Sequence, residues 1–306
     1  MRLSIPTHDG GPSDPDDILL GEPPQSIGAL FSCASELTRA GRRRSPTLRG
    51  MGLLRGRITL SFIVAMVGAL LSIVILGDSW GVAVGAVLGM LSVQPFFRRP
   101  AATTTFVGME GLARYTQTKT APTVEVLRWD DADVLLTWEM RRSTRFIYRR
   151  TLFRHTWLGP GRRKLFEIHG VYHDGDGRRP PPQPYNVVHF AKAAERLFTD
   201  HLLVRARQTL ARGAEIAFEI SGAEGLWLGA GRLILQSHPV NRVEVPNDAL
   251  TDVEQRGGIL IIRFRKPEKT LLGRSTEEHR FRVGEIPNFL LLMTLLEERV
   301  SVRRDT

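Results

Sequence analysis

The chain is 306 residues long and carries 42 lysines and arginines against 32 aspartates and glutamates, a net charge of +10. Its single cysteine, Cys33, excludes an intrachain disulfide framework. The basic excess raises nucleic acid as a partner, but no recognition motif or aromatic-basic platform accompanies it, so nucleic acid is not expected.

Residues 1–25 are rich in Pro, Gly and Asp and read as a disordered lead. Next, Ile27, Leu30, Phe31, Ala34 and Leu37 share one helical face. The segment 26–57 is therefore expected to open with an amphipathic helix, either docked on a later domain or lying in a lipid interface. It continues as an arginine-rich stretch. Arg42, Arg43, Arg44, Arg55 and Arg57 precede the following segment, and Arg98 and Arg99 come after it. Arg42-Arg43-Arg44-Ser45-Pro46 also has the pattern of a basophilic kinase site, the plainer reading being an unmodified basic linker.

Residues 58–97 hold two apolar runs, 58–76 and 80–97, joined by Gly77-Asp78-Ser79 and free of charge inside. At ~1.5 Å per residue each run is about long enough to cross a hydrocarbon core. The pattern predicts a two-helix transmembrane hairpin, too far from the start to be the core of a cleaved signal peptide. Arginines on both outer flanks, against a lone Asp78 at the turn, predict a multi-pass inner or plasma membrane protein with both termini cytoplasmic. The same arginines are expected at anionic lipid headgroups. Gly81, Gly85 and Gly89 allow close helix approach, first between the two hairpin helices and second in self-association to a homo-oligomer.

After Pro100 the sequence becomes rich in β-branched and aromatic residues, with strands expected at 124–129, 134–139, 145–148 and 164–169. A helix capped by Asn186 follows and ends at Gly213. A second block repeats the order, with strands at 215–220, 225–228, 232–236, 241–245, 258–265 and 279–283 and a helix from Asn288 to about Val300. Gly108-Met109-Glu110-Gly111-Leu112 recurs as Gly222-Ala223-Glu224-Gly225-Leu226. Trp129-Asp130-Asp131-Ala132 likewise has a counterpart around Pro246-Asn247-Asp248-Ala249. The two blocks, 101–213 and 214–302, read as copies of one unit. The final helix is apolar nearly all round, so it needs a second covering partner besides its own sheet.

Leu20-Gly21-Glu22-Pro23, the apolar hairpin, Glu110-Gly111-Leu112, Arg128-Trp129-Asp130-Asp131 and Ile286-Pro287-Asn288 ahead of a leucine-rich helix form an ordered set. The set resembles a bacterial, mainly actinobacterial, membrane protein family of unknown function with pleckstrin-homology-like domains. Where that family often shows a Leu-Pro-Trp-like run, this chain has Val245-Pro246. The expected fold class is an α+β membrane protein: a two-helix transmembrane hairpin followed by two tandem pleckstrin-homology-like units, each a curled antiparallel sheet closed by one helix. The resemblance carries over no catalytic residues.

The residue constellations point away from catalysis. His169 and His173 share a strand face but stand ~13 Å apart, too far to share an ion. Asp130, Asp131 and Asp133 lack the glycine and distal glutamate of a calcium loop. Gly229-Ala230-Gly231 is too short for a phosphate loop, and no Gly-x-Ser-x-Gly elbow occurs. No enzyme, metal or cofactor is expected. The stronger candidate is basic: Arg141, Arg142, Arg145, Arg149, Arg150 and Arg154 gather on one predicted hairpin. They form either a solvated face or a surface for anionic headgroups or an acidic partner. The function expected is a membrane-anchored cytoplasmic scaffold binding a protein segment or anionic lipid. The alternative is a structural or regulatory subunit of a membrane complex assembled through the hairpin's glycine face.

Overall fold

The structure is a computed structural model and describes residues 5–12, 17–37, 102–118, 121–144, 147–172, 187–221, 224–238, 241–270, 273–299 and 302–304. It is built mostly from antiparallel sheet, with two α-helices among the described residues. Strands β1 (Leu30–Ser35), β2 (Thr103–Gly108), β3 (Gly111–Thr116) and β4 (Thr123–Arg128) form one sheet in that order. A short 3-10 turn, Trp129–Asp131, leads to a second sheet of β5 (Val134–Thr144), β6 (Ile147–Leu158) and β7 (Lys164–Tyr172). Helix α1 (Val187–Ala211) then packs on these sheets, and Gly213, at φ 77°, turns the chain out of it.

The second half repeats this order. Strands β8 (Ile216–Ser221), β9 (Glu224–Leu228), β10 (Arg232–His238) and β11 (Asn241–Pro246) form a four-stranded sheet. A 3-10 turn, Asn247–Ala249, leads to β12 (Leu250–Arg256), β13 (Ile259–Thr270) and β14 (Gly273–Arg282). Helix α2 (Phe289–Glu297) follows, and β15 (Val302–Arg304) adds to the edge of β12 in parallel.

The halves correspond by strand order and by their 3-10 turns, not by the glycine motif. Gly108–Gly111 joins the second strand of its sheet to the third. The similar stretch at 222–226 bridges the first strand and the second, with residues 222–223 outside the described residues. The glycines at 108 and 111 have a local cause instead. A methyl group at either position would collide with the backbone carbonyl of Ile27 or of Leu127.

Two cores result. The first closes around Trp129, which is fully buried, with Phe198 of α1 at 5.7 Å between ring centroids. The second gathers the apolar face of β8–β14 around α2 and also takes in Ala206 and Leu210 from the end of α1. Leu291 and Leu295 of α2 are 4% and 1% exposed. The all-round apolar helix is thus covered on more than one side, with α1 and β5 both against it.

The expected fold class needs correction. Among the described residues the protein has four sheets and two α-helices, and no helix is long and apolar enough to cross a membrane. The physical reasons differ between the helices. α1 is 25 residues long but carries Lys192, Glu195, Arg196, Arg205 and Arg207. α2 is apolar but only nine residues long, ~14 Å at helical rise against a hydrocarbon core of ~30 Å. The hairpin expected over 58–97 lies outside the described residues, together with Gly81, Gly85, Gly89, Arg42, Arg43, Arg44, Arg55, Arg57, Arg98 and Arg99. With no membrane-spanning helix among the described residues, the structure does not support the multi-pass membrane location.

The N-terminal expectations also change. Residues 30–35 form a strand rather than part of an amphipathic helix, because β1 pairs along its length with β2. Four successive residues, Ser32–Ser35, are buried, and a short continuously buried run cannot be told from a helix by periodicity. The described part of the lead is tied down rather than disordered. Cys33 N–H donates to the Pro6 carbonyl at 3.0 Å, Ile18 N–H to the Leu37 carbonyl at 2.9 Å, and Tyr115 Oη–H to the Glu22 carbonyl at 2.7 Å. On either side of 38–101 the chain is hydrogen-bonded to itself, Glu36 N–H donating to the Thr103 carbonyl at 3.0 Å.

Candidate interaction surface

The β5–β6–β7 sheet has one core face and one outer face. Phe153, His155 and Trp157 alternate inward along β6 and are all buried. Residues between them point outward, and cross-strand register extends the outer face to β5 and β7. Arg142 stands directly opposite Arg150, and Arg154 stands opposite Trp138 on one side and His169 on the other. Arg142, Arg150 and Arg154 are all exposed, and no acidic residue is paired with them among the described residues. Trp138, 39% exposed, lies beside them.

Only part of the arginine cluster is therefore brought together. Arg141 falls on the opposite face of the sheet, across from Thr151. Arg149 is the extra residue of a bulge between the Arg142–Arg150 and Ser143–Tyr148 pairs. Arg145 lies outside the described residues. The neighbouring cations are committed elsewhere: Arg162 donates to the Glu219 carbonyl at 3.1 Å, and Lys164 pairs with Glu167 at 3.6 Å.

Between the halves the structure uses a residue whose role the sequence does not disclose. Asn288 N–H donates to the Leu135 carbonyl at 2.8 Å. Its side-chain Oδ1 accepts from Leu135 N–H at 2.8 Å, and its Nδ2–H donates to the Asp133 carbonyl at 3.0 Å. One residue thus satisfies three backbone groups at the start of β5, the open edge of its sheet. Arg205 with Asp130 at 2.6 Å and Arg207 with Glu298 at 2.6 Å add surface ion pairs around α1. Each of these is worth at most about 1 kcal/mol.

Buried histidines join separate elements in the polar interior. His8 places its ring nitrogens 2.8 Å from Ser32 Oγ and 2.9 Å from Thr105 Oγ1, against the Phe190 ring at 5.1 Å. Burial pushes its pKa down to about 3, with Asp9 opposing and His189 reinforcing the shift. His155, 2% exposed, meets Glu195 of α1 at 3.2 Å and ties the second sheet to the helix. Burial also pushes the Cys33 thiol up to about 11, which leaves it protonated and a poor nucleophile at neutral pH. His169 is 63% exposed and contacts Glu167 at 3.1 Å, while His173 and Asp174 lie outside the described residues. Asp130 is engaged by Arg205 and by His201 at 3.4 Å. Among the described residues no three metal-ligating side chains converge.

No family model matches the chain, and no curated protein matches it.

Proposed function

We propose that the protein is a binding module, not an enzyme, that holds an acidic protein segment on the outer face of the β5–β6–β7 sheet. The observation that carries this reading is the row of Arg142, Arg150 and Arg154. Arg150 and Arg154 are four residues apart on one strand, ~13 Å, and project from the same side. An extended acidic segment has the same two-residue period and would set carboxylates against successive guanidinium groups. Such charge-assisted, bidentate pairs are the stronger kind of hydrogen bond. Trp138 beside the row supplies apolar contact area for the same segment.

The test uses the full chain and a fluorescent peptide alternating glutamate and serine, followed by anisotropy at low and high salt. Binding that weakens with salt, and at least tenfold more in the triple variant Arg142→Glu/Arg150→Glu/Arg154→Glu, supports the proposal. Equal binding by the variant sinks it. If anionic phospholipid vesicles bind and the peptide does not, the ligand is a lipid headgroup instead.

A further inference from the structure

The two halves correspond strand for strand, so the open edge of the β5–β6–β7 sheet has a counterpart in the second half, the edge of β12. Both edges are occupied by chain from elsewhere. Asn288 pairs with the β5 edge through its main chain and side chain. On β12 the occupant is β15, the segment 302–304, lying parallel with Val302 opposite Val253, Arg303 opposite Glu254 and Arg304 opposite Gln255.

The two occupants are not held alike. Asn288 sits between a sheet and the buried helix α2. β15 is three residues long, follows α2 by a few residues, and pairs in parallel, the slightly weaker arrangement per residue. The acceptor edge, by contrast, is well built. Val253 is fully buried there, and Asp252, Glu254 and Glu278 surround Arg263 at 2.7, 3.2 and 2.8 Å. Position by position, the edge suits an apolar residue across from Val253 and a cation across from Glu254.

We propose that the β12 edge is a strand acceptor for an extended segment of a partner protein, an apolar residue followed by cationic ones, and that residues 302–304 hold it in cis until such a segment displaces them. Main-chain hydrogen bonds would supply affinity, and alternate side chains would supply selectivity, as in other strand additions. The surface lies in the other half of the molecule from the arginine row and takes the opposite charge.

The probe is a labelled peptide copying residues 301–306, added to full-length protein and to the full-length variant Val302→Pro/Arg303→Pro. Proline at both positions removes two of the three amide N–H groups of the cis strand, at least one of which faces β12 in either register. The variant is expected to bind the peptide at least tenfold more tightly than the unmodified chain, and adding Glu254→Lys is expected to cancel most of that gain. Amide exchange at 253–255 should quicken in the opened variant and slow again with peptide. Absence of peptide binding by the opened variant overturns the proposal, as does equal binding by both forms. A chain ending at residue 300 is the second opened form. If both opened forms fail to fold, the tail is an integral strand and the proposal is wrong.

Discussion

Asn288 stands immediately before the leucine-rich helix α2, yet its side chain makes no capping bond to it. It adopts a left-handed conformation, φ 51° and ψ 43°, and spends its amide on β5. Asparagine tolerates that backbone better than other side-chain-bearing residues and offers both a donor and an acceptor. Asn288→Ala is expected to lower unfolding free energy by about 2–4 kcal/mol, since it leaves two backbone groups unpaired and adds left-handed strain. Asn288→Gly should cost less, because it removes only the hydrogen bonds. Urea midpoints order the three proteins, and an unchanged midpoint for the alanine variant refutes the role. His8 gives a pH prediction. Its folded pKa of about 3 lies below the ordinary 6.5, so between these values the unfolded or undocked state binds a proton that the docked state does not. Docking of residues 5–11 is therefore fully stable above about pH 6.5 and weakens as pH falls toward 3, up to about tenfold per pH unit. Exchange of the Cys33 amide, which donates to Pro6, reports this opening. His8→Gln should flatten the trend, and a wild-type slope no different from the variant's would contradict it.

At the scale of elements, α1 is the piece that makes two halves into one body. Its first half, through Phe198, closes the core around Trp129, and Ala206 and Leu210 at its other end lie in the core of the second half. The amphipathic pattern predicts the helix and its first buried face well, because a long, strongly periodic segment states its own conformation. The same pattern is silent on which sheet each turn meets. A shared helix couples the two cores, so the protein is expected to unfold in one calorimetric transition. Phe198→Ala (about 3–5 kcal/mol) and Leu210→Ala (about 2–4 kcal/mol) should both lower that single transition. Two transitions, with each variant moving only its own, would show that the halves are independent. Strand β12 illustrates the opposite limit. Leu-Thr-Asp-Val-Glu-Gln-Arg carries few apolar residues, and it is a strand because β13 pairs with it and Arg263 engages Asp252 and Glu254.

Over the whole molecule, the basic character divides into two kinds of arginine. Some are absorbed in the architecture, as at Arg162, Arg205, Arg207 and Arg263. Others, Arg142, Arg150 and Arg154, stand on an outer face free of described acidic partners. Composition counts both alike, and only cross-strand register separates them. Register also divides the predicted cluster, since a strand's side-chain period of two sends Arg141 to the other face from Arg142. By itself the sequence determined the β-rich texture after residue 100, the helix over 187–211, the repeat of strands followed by a helix, and the arginine-dense hairpin of β5 and β6. These are local properties, written in periodicity and in turn chemistry. Tertiary structure alone decided that residues 30–35 complete the first sheet as a strand and that His8 is a buried anchor. It also decided that the Asn288 side chain bonds to the β5 edge rather than capping its own helix, and that residues 302–304 pair with the edge of β12. Each of those depends on a partner distant in sequence, and the free energy that selects it arises only when the two segments meet.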